Sequence, residues 1–539
     1  MVHMVTQMVV DGNVRPHNTF HDRTGDTLYA LLTIRRLTQL ARRSPKFRKN
    51  KKNRCLRAKR QRSSSNLTRL KRGLKSLVNI NKSSIAVLGD NMEKNTDILV
   101  IGGGPAGIVC ALTARQYYPD KKILVMRDVE KGVIPCGIPY MIASLEKPDQ
   151  NIMGYSSLEK ENIELVIDRV VTIDRQNKKV RTESGNDYRY EKLVLALGSN
   201  PIVPPIPGID KKGVYRVRKD LDYLKEMVEE VKKHEKVLVL GGGFIGVEFA
   251  DELSQIKGLE VILVEMLPHL LSNSFDPEFS ELAEEKLRSQ KVKILTNTTV
   301  EEFIGDEKVK KVRLSTGEKI DIDCVVLGVG TKPNTQLALD AGLELGKGKG
   351  IWVDEYLRTI DPDIFAVGDC AGKRDFFTRK DAPVLLASIA TAEARIAGAN
   401  LYQLKVLREN KGTIGIFSTY VGGLVMGSAG MTESTARREG FDIISGKAQV
   451  VDKHPSVLLG ANKMLVKLVF SRESQAILGG QVAGGMSCGE LINVIGIAIQ
   501  KRFTITELET FQMATHPYLT APPTMYPLVW AAQDAAKKR

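Results

Sequence analysis

Short runs of consecutive branched apolar residues, each closed by glycine, punctuate most of the chain. Longer stretches with helical apolar spacing lie between them. Ile98-Leu-Val-Ile101 follows Asp97 and ends in Gly102-Gly-Gly104-Pro105-Ala106-Gly107. A run of that length, bounded by turn residues, predicts a strand buried on both faces, as in a parallel sheet. A helical pattern continues to about Gln116, and a second β run, Ile123-Leu-Val-Met126, follows. The same series returns about 140 residues later. Lys236-Val-Leu-Val-Leu240 leads into Gly241-Gly-Gly243-Phe-Ile-Gly246, and Leu259-Glu-Val-Ile-Leu-Val264 is its second strand. Further β runs end at Gly198, at Gly328-Val-Gly330 and at Gly368-Asp369. The pattern predicts an α/β protein built around two Rossmann-like units, with no apolar run of the ~18 residues a spanning helix needs.

Each glycine series has the form Gly-x-Gly-x-x-Gly between a strand and a helix, the setting in which that motif carries meaning. Gly102, Gly104 and Gly107, with Pro105 and Ala106 between them, predict a tight turn whose backbone approaches a pyrophosphate at a helix N-terminus. Gly241, Gly243 and Gly246 predict the same for a second dinucleotide. The second strand of that unit ends in Glu265. An acid there accepts from a ribose 2′-hydroxyl and repels a 2′-phosphate, so this site should favour NADH, with NADPH less well accepted. In the first unit the corresponding strand ends in Arg127 where an acid is usual, and either Arg127 or the adjacent Asp128 could serve the adenosine end.

Just behind the first unit lies Val133-Ile-Pro-Cys136-Gly-Ile-Pro-Tyr140, with no other cysteine within six residues of Cys136. A lone thiol can pass through a mixed disulfide, a persulfide or a sulfenic acid, but cannot close a disulfide with a near neighbour. If Pro139–Leu145 is helical, the helix N-terminus favours the thiolate. From the thiol alone, a buried structural cysteine is an equal alternative.

Composition changes the picture at one place. The net charge of +16 suggests a polyanion partner, yet residues 1–91 alone carry +17, from 21 Lys/Arg against 4 Asp/Glu. The body is close to neutral and shows no sign of a nucleic-acid partner. Three readings stand for residues 1–91: translation starting at Met92, a disordered basic tail, or a transit peptide. Six cysteines at 55, 110, 136, 324, 370 and 488 show no metal-ligand spacing and no disulfide framework, which predicts a reducing, cytoplasmic setting.

With these residues in view, the chain from about residue 96 to its end resembles the pyridine nucleotide–disulfide oxidoreductases, in which an NADH domain is inserted into an FAD domain. Leu193–Gly198 looks like the family's crossover out of the first FAD segment, and Val325–Asn334, with Gly330, like the return. Ile364–Asp369 looks like the second FAD motif, whose acid, here Asp369, bonds the FAD ribitol. The resemblance implies five segments: the extension 1–91, FAD-binding 92–209, NADH-binding 210–329, FAD-binding 330–405, and an α+β dimerisation domain 406–539. The lone cysteine resembles the branch holding coenzyme A-disulfide reductase, NADH oxidase, NADH peroxidase and polysulfide reductases. There the cysteine lies against the flavin. Pro105-Ala106 stands where NADH peroxidases carry a histidine, which argues against that activity. Thr515–Tyr526 is similar to a C-terminal segment that reaches the partner subunit's site in a homodimer. Tyr518 and Tyr526, with His516 as an outside candidate, are therefore candidate acids, and packing aromatics are an equal alternative.

The resemblance implies an FAD-dependent NADH oxidoreductase that reduces a disulfide, polysulfide or coenzyme A disulfide through Cys136. The alternatives are an NADH oxidase reducing O₂ to water or H₂O₂, and a reductase passing electrons to a small redox protein.

Overall fold

The computed structural model describes residues 93–382, 384–408 and 411–539, so the readings of residues 1–91 lie outside the described residues. Two five-stranded parallel sheets form the body. In the first, the strand order is Ile364–Ala366, Lys192–Leu195, Ile98–Ile101, Ile123–Arg127, Glu164–Ile167. In the second it is Val214–Arg216, Cys324–Leu327, Lys236–Leu240, Glu260–Val264, Lys293–Leu295. The strands Ile98–Ile101 and Cys324–Leu327 are buried along their whole length, and Lys192–Leu195 is buried from Leu193 on, because helices or further layers cover both faces. This accounts for runs of apolar residues rather than alternation.

The register shows the insertion directly. Ile364–Ala366, which follows the second sheet in the chain, pairs in parallel with Lys192–Leu195, which precedes it. The two crossover segments, Ser199–Pro201 and Thr331–Pro333, pair antiparallel with each other. The chain therefore leaves the first sheet and returns to it along one two-stranded ribbon.

Residues beyond 411 form a five-stranded antiparallel sheet. The helices Cys488–Gln500 and Pro527–Ala536 pack against it. This domain is tied to the second parallel unit by a buried charge cluster. Lys467 Nζ lies 2.9 Å from Asp276, 3.0 Å from Glu278 and 2.9 Å from Glu433. Burial alone would raise the Asp276 pKa, but bonds from Ser434 and Lys467 outweigh it and hold the group at about 2. The architecture is the expected one: two Rossmann-like domains, one inserted in the other, and a C-terminal α+β domain. Among the described residues no helix is long and apolar enough to cross a membrane.

Candidate active site

The two glycine loops are near copies in space. Gly102 and Gly241 take φ of +116° and +105°, the left-handed region that favours glycine. A Cβ on Gly107 would fall 1.8 Å from Gly102 O, and one on Gly246 1.8 Å from Gly241 O. Each helix can approach its own loop only because these positions lack a side chain. The helices then begin at Pro105 and Phe244, with Gly104 and Gly243 as extended N-caps facing open space. Amide groups at both termini are thereby free to meet phosphate oxygens.

The second strands end differently, as the sequence indicated. Glu265 is nearly buried, and its carboxylate accepts from Gly242 N–H and, at 2.7 Å, from Leu267 N–H. These bonds hold it against the loop and leave lone pairs for a ribose hydroxyl. Arg127 is 4% exposed, and none of its three guanidinium nitrogens has a hydrogen-bond partner. Asp128, the other candidate for the adenosine end, is exposed and faces Arg169 at 3.7 Å.

Asp369 sits in a short 3-10 turn, Gly368–Cys370, beyond the strand Ile364–Ala366. Its carboxylate accepts from Ser199 Oγ at 2.7 Å and from Lys219 Nζ at 3.4 Å. A buried pair holds the turn from below. Lys373 Nζ lies 3.1 Å from Glu393 and donates to Gly368 O at 2.7 Å, while Glu393 accepts from Gly368 N–H at 2.9 Å. Gly198 and Gly330 adopt φ of +68° and +91° at the two crossovers. A dinucleotide bearing a flavin fits this set. Gly104 faces open space at a helix N-terminus, where a pyrophosphate would be received, and the Asp369 carboxylate is held by Ser199 and Lys219 at the second flavin motif.

Cys136 is exposed, whereas Cys110, Cys324, Cys370 and Cys488, the other described cysteines, are buried. Burial pushes the thiols of Cys110, Cys324 and Cys488 up to about 12 and that of Cys370 to about 11. The expected helix after Cys136 does not form. Pro135–Gly137 and Pro139–Met141 are two successive 3-10 turns instead. No helix dipole therefore acts on the sulfur. Partial desolvation by the loop, then the Glu248 carboxylate, raise the Cys136 pKa, as does Asp369 more weakly; Lys219 lowers it. Lys219 is the cation that opposes these effects, and it also bonds Asp369, so thiol and flavin motif share one counter-charge.

The cysteine loop is braced from two directions. Asn151 donates to Ile134 O at 3.1 Å, and its side chain leaves no room for a Cβ on Gly137. From the second unit, Glu252 on helix Phe244–Ser254 accepts from Ala143 N–H, Ser144 N–H and Ser144 Oγ at 3.1, 2.8 and 2.6 Å. Glu248, one turn earlier, accepts from Thr419 Oγ1 of the C-terminal domain at 2.9 Å, and burial pushes its pKa up to about 7. The same carboxylate helps burial raise the Tyr140 pKa. Sequence reasoning missed Lys219, Glu248 and Glu252. Glu248 does follow the second glycine series by two positions, a signal that was available. Lys219 lies in a connecting segment with no motif around it.

Tyr518 is 57% exposed, with His516 beside it and Lys453 Nζ 6.0 Å from its ring centroid. Tyr526 is half-buried, packed edge-on to Phe511 at 5.7 Å, and burial raises its pKa. All three candidate acids therefore have their recorded contacts inside the C-terminal domain.

Two dinucleotide folds interrupted one within the other, an acid at the second flavin motif and one exposed thiol among the described residues define a flavin- and pyridine-nucleotide-linked oxidoreductase. The chain belongs to the pyridine nucleotide-disulphide oxidoreductase family: residues 96–394 match that family and residues 416–526 match its dimerisation domain. It is thus an FAD-dependent NAD(P)H oxidoreductase. An NADH oxidase of Methanocaldococcus jannaschii is 32% identical over 454 residues, covering 82% of this chain and 98% of the relative. An NAD(P)H coenzyme A polysulfide/persulfide reductase of Pyrococcus horikoshii is 31% identical, covering 74% and 89%. A solved NAD-dependent persulfide reductase from A. fulgidus superposes with a TM-score of 0.76 at 30% identity, covering 83% of this chain and 84% of that one.

Proposed function

We propose that this chain uses Cys136 to reduce sulfur–sulfur bonds with electrons from NADH, working as a homodimer in the cytoplasm. The observation that carries the reading is the exposure of Cys136 among buried cysteines, beside Lys219 and the Asp369 turn. FAD, when bound, would supply the hydride-accepting and electron-pair-donating chemistry between NADH and sulfur. The loop Gly102–Gly107 and Asp369 would hold it. Gly241, Gly243, Gly246 and Glu265 orient NADH, with Glu265 accepting from the ribose and disfavouring NADPH.

The Cys136 thiolate attacks one sulfur of a disulfide, persulfide or polysulfide. A Cys136–sulfur bond forms, the substrate's sulfur–sulfur bond breaks, and the leaving thiolate takes a proton. The incoming electron pair then breaks the Cys136–sulfur bond, restoring the thiolate and releasing the second sulfur. Lys219 supports the thiolate. Tyr518, Tyr526 or His516 of the opposite subunit supplies the proton to the leaving group.

The second reading, reduction of O₂ with Cys136 cycling through sulfenate, is favoured by the resemblance to the M. jannaschii NADH oxidase. Anaerobic NADH oxidation with polysulfide or coenzyme A disulfide, set against turnover with O₂, separates the two. The sulfur reading requires faster turnover with a sulfur acceptor. Turnover with O₂ alone transfers the assignment to the oxidase.

A further inference from the structure

The helix Phe244–Ser254 carries Glu248, Asp251 and Glu252, spaced so that the three acids share one face. That face meets both the thiol loop and the C-terminal domain. Every recorded partner of the three side chains is neutral. Asp251 accepts from Gln290 Nε2 at 2.7 Å and from Gly422 N–H at 3.0 Å. Glu252 accepts from Ala143 N–H, Ser144 N–H and Ser144 Oγ, and from Gln255 Nε2 at 3.3 Å. The amide N–H groups among these can only donate, so they hold both residues as carboxylates. Burial raises the Asp251 pKa against that pull. Glu248 differs, because its recorded bond is to one hydroxyl, Thr419 Oγ1, and a hydroxyl accepts as readily as it donates. Taking up a proton therefore costs Glu248 no partner. Three carboxylates within little more than one turn repel one another, and the proton that relieves this falls on Glu248. The 3-10 turn Pro139–Met141 packs on the same helix, and the Glu248 charge reaches Cys136 and Tyr140. The strand Ile416–Val421 presents Thr419 to Glu248, while the strands Lys236–Leu240 and Glu260–Val264 present apolar residues to the helix, Val239 and Val261 among them. The titratable groups facing Glu248 are thus Asp251, Glu252, Tyr140 and Cys136. Of these, Cys136 is the one whose charge changes in sulfur chemistry.

We propose that Glu248 and Cys136 share one negative charge: Glu248 keeps a proton while Cys136 is a thiolate and releases it when Cys136 is bonded to sulfur. The inference rests on Cys136 being the redox thiol. When the thiolate attacks, it becomes a neutral mixed disulfide or persulfide. The like charge facing Glu248 then disappears, and the Glu248 proton passes to the medium. When the incoming electron pair breaks the Cys136–sulfur bond, the thiolate returns and Glu248 recovers a proton from the medium. The group that protonates the leaving thiolate is a separate one. Glu248 is thus a positioning residue, acting on reactivity through the charge on sulfur. Removing its carboxylate makes Cys136 a thiolate at lower pH.

The test is the rate of Cys136 alkylation by iodoacetamide as a function of pH, read by mass spectrometry on the full chain with its flavin. The unaltered protein is compared with Glu248→Gln and Glu248→Asp. The thiolate is the reacting form, so the midpoint of the profile reports the charge on sulfur. Glu248→Gln keeps a neutral partner for Thr419 Oγ1. Its midpoint should fall, and at pH 8 its Cys136 should react about three- to thirty-fold faster than in the unaltered protein. The two rates should converge at high pH, where both thiols are ionised. Glu248→Asp keeps the charge and should follow the unaltered profile. An unchanged midpoint in Glu248→Gln overturns the proposal, including the case in which a loosened loop raises the rate equally at every pH. An equal fall of the midpoint in Glu248→Asp overturns it as well, since the shift would then come from packing. Alkylation needs no turnover, so the reading of the thiol fails separately: sulfur reduction retained in Cys136→Ser would sink that reading while a shifted midpoint left the shared charge standing.

Discussion

Ser144 Oγ donates to Glu252 at 2.6 Å, and through that bond the loop carrying the exposed thiol is fastened to the first helix of the second dinucleotide unit. The two residues are 108 positions apart in the chain. Ala143 and Ser144 N–H groups reach the same carboxylate, so three donors converge on one buried acid. The thiol loop is therefore fastened to the helix that follows the second glycine loop.

Glu252→Ala should leave those donors without their acceptor and cost about 1–3 kcal/mol. The expected result is a lower thermal midpoint, retained flavin, and faster alkylation of Cys136 by iodoacetamide as the loop loosens. An unchanged midpoint together with an unchanged alkylation rate would show that the carboxylate does not brace the loop.

Glu265→Ala should narrow the preference for NADH over NADPH by an amount of order 1–3 kcal/mol, from the lost ribose bond and the removed like charge. It should also raise KM for NADH, because the carboxylate holds Gly242 and Leu267 of the loop that receives the dinucleotide. The ratio of kcat/KM for the two nucleotides checks this. A ratio that stays put in the variant contradicts the assignment.

Lys467→Met should destabilise the junction of the second unit with the C-terminal domain by about 3–5 kcal/mol, since it leaves the buried Asp276 carboxylate without its cation, while Glu278 and Glu433 keep only Lys447 and Arg437 at the cluster's edge. Denaturant unfolding measures this. A loss below about 1 kcal/mol would mean that Asp276, Glu278 and Glu433 are not held by the lysine.

Glu248 gives a pH dependence of defined sign. Its folded pKa of about 7 lies above the ordinary 4.5, so the folded state holds the proton more tightly than the unfolded chain. The stabilisation is fully present below pH 4.5 and is lost as pH rises through 7, a change of roughly 3 kcal/mol. Glu248→Gln keeps a neutral acceptor for Thr419 Oγ1 and removes the titration. The variant should match the parent near pH 4.5 and exceed it at pH 8 in denaturant midpoint. Equal midpoints at both values would place the Glu248 pKa near that of an ordinary carboxyl.

The two dinucleotide folds were legible because their signals are local. Gly102–Gly107 and Gly241–Gly246 sit within one strand–turn–helix each, and φ at Gly102 and Gly241 is set by contacts a few residues away or on the adjoining strand. The insertion was legible only through resemblance, since the pairing of Ile364–Ala366 with Lys192–Leu195 spans the whole second unit. The surroundings of Cys136 were not legible. The apolar run Pro139–Leu145 left a helix open, and the structure has two short 3-10 turns, Pro135–Gly137 and Pro139–Met141, in its place. The groups that set its charge, Lys219, Glu248 and Asp369, arrive from distant segments. Arg127 was visible as a departure from the usual acid, but its missing partners become apparent only once Tyr155 and Gly132 are packed around it.

The central claim is that Cys136 is the redox thiol, and Cys136→Ser tests it most directly. Serine is nearly isosteric but cannot form a bond to a departing sulfur. FAD binding and reduction of the flavin by NADH should survive, while NADH-dependent reduction of polysulfide or coenzyme A disulfide should fall to background. Any residual O₂ consumption should shift toward H₂O₂. Cys488→Ser serves as control: Cys488 is the buried first residue of the helix Cys488–Gln500, and its replacement should leave turnover near normal. Anaerobic NADH oxidation with polysulfide, compared across the three proteins, is the measurement. Loss confined to Cys136→Ser is the predicted result. Full sulfur-reductase activity in that variant would contradict the account and move the electrons to an external acceptor, with Cys136 incidental.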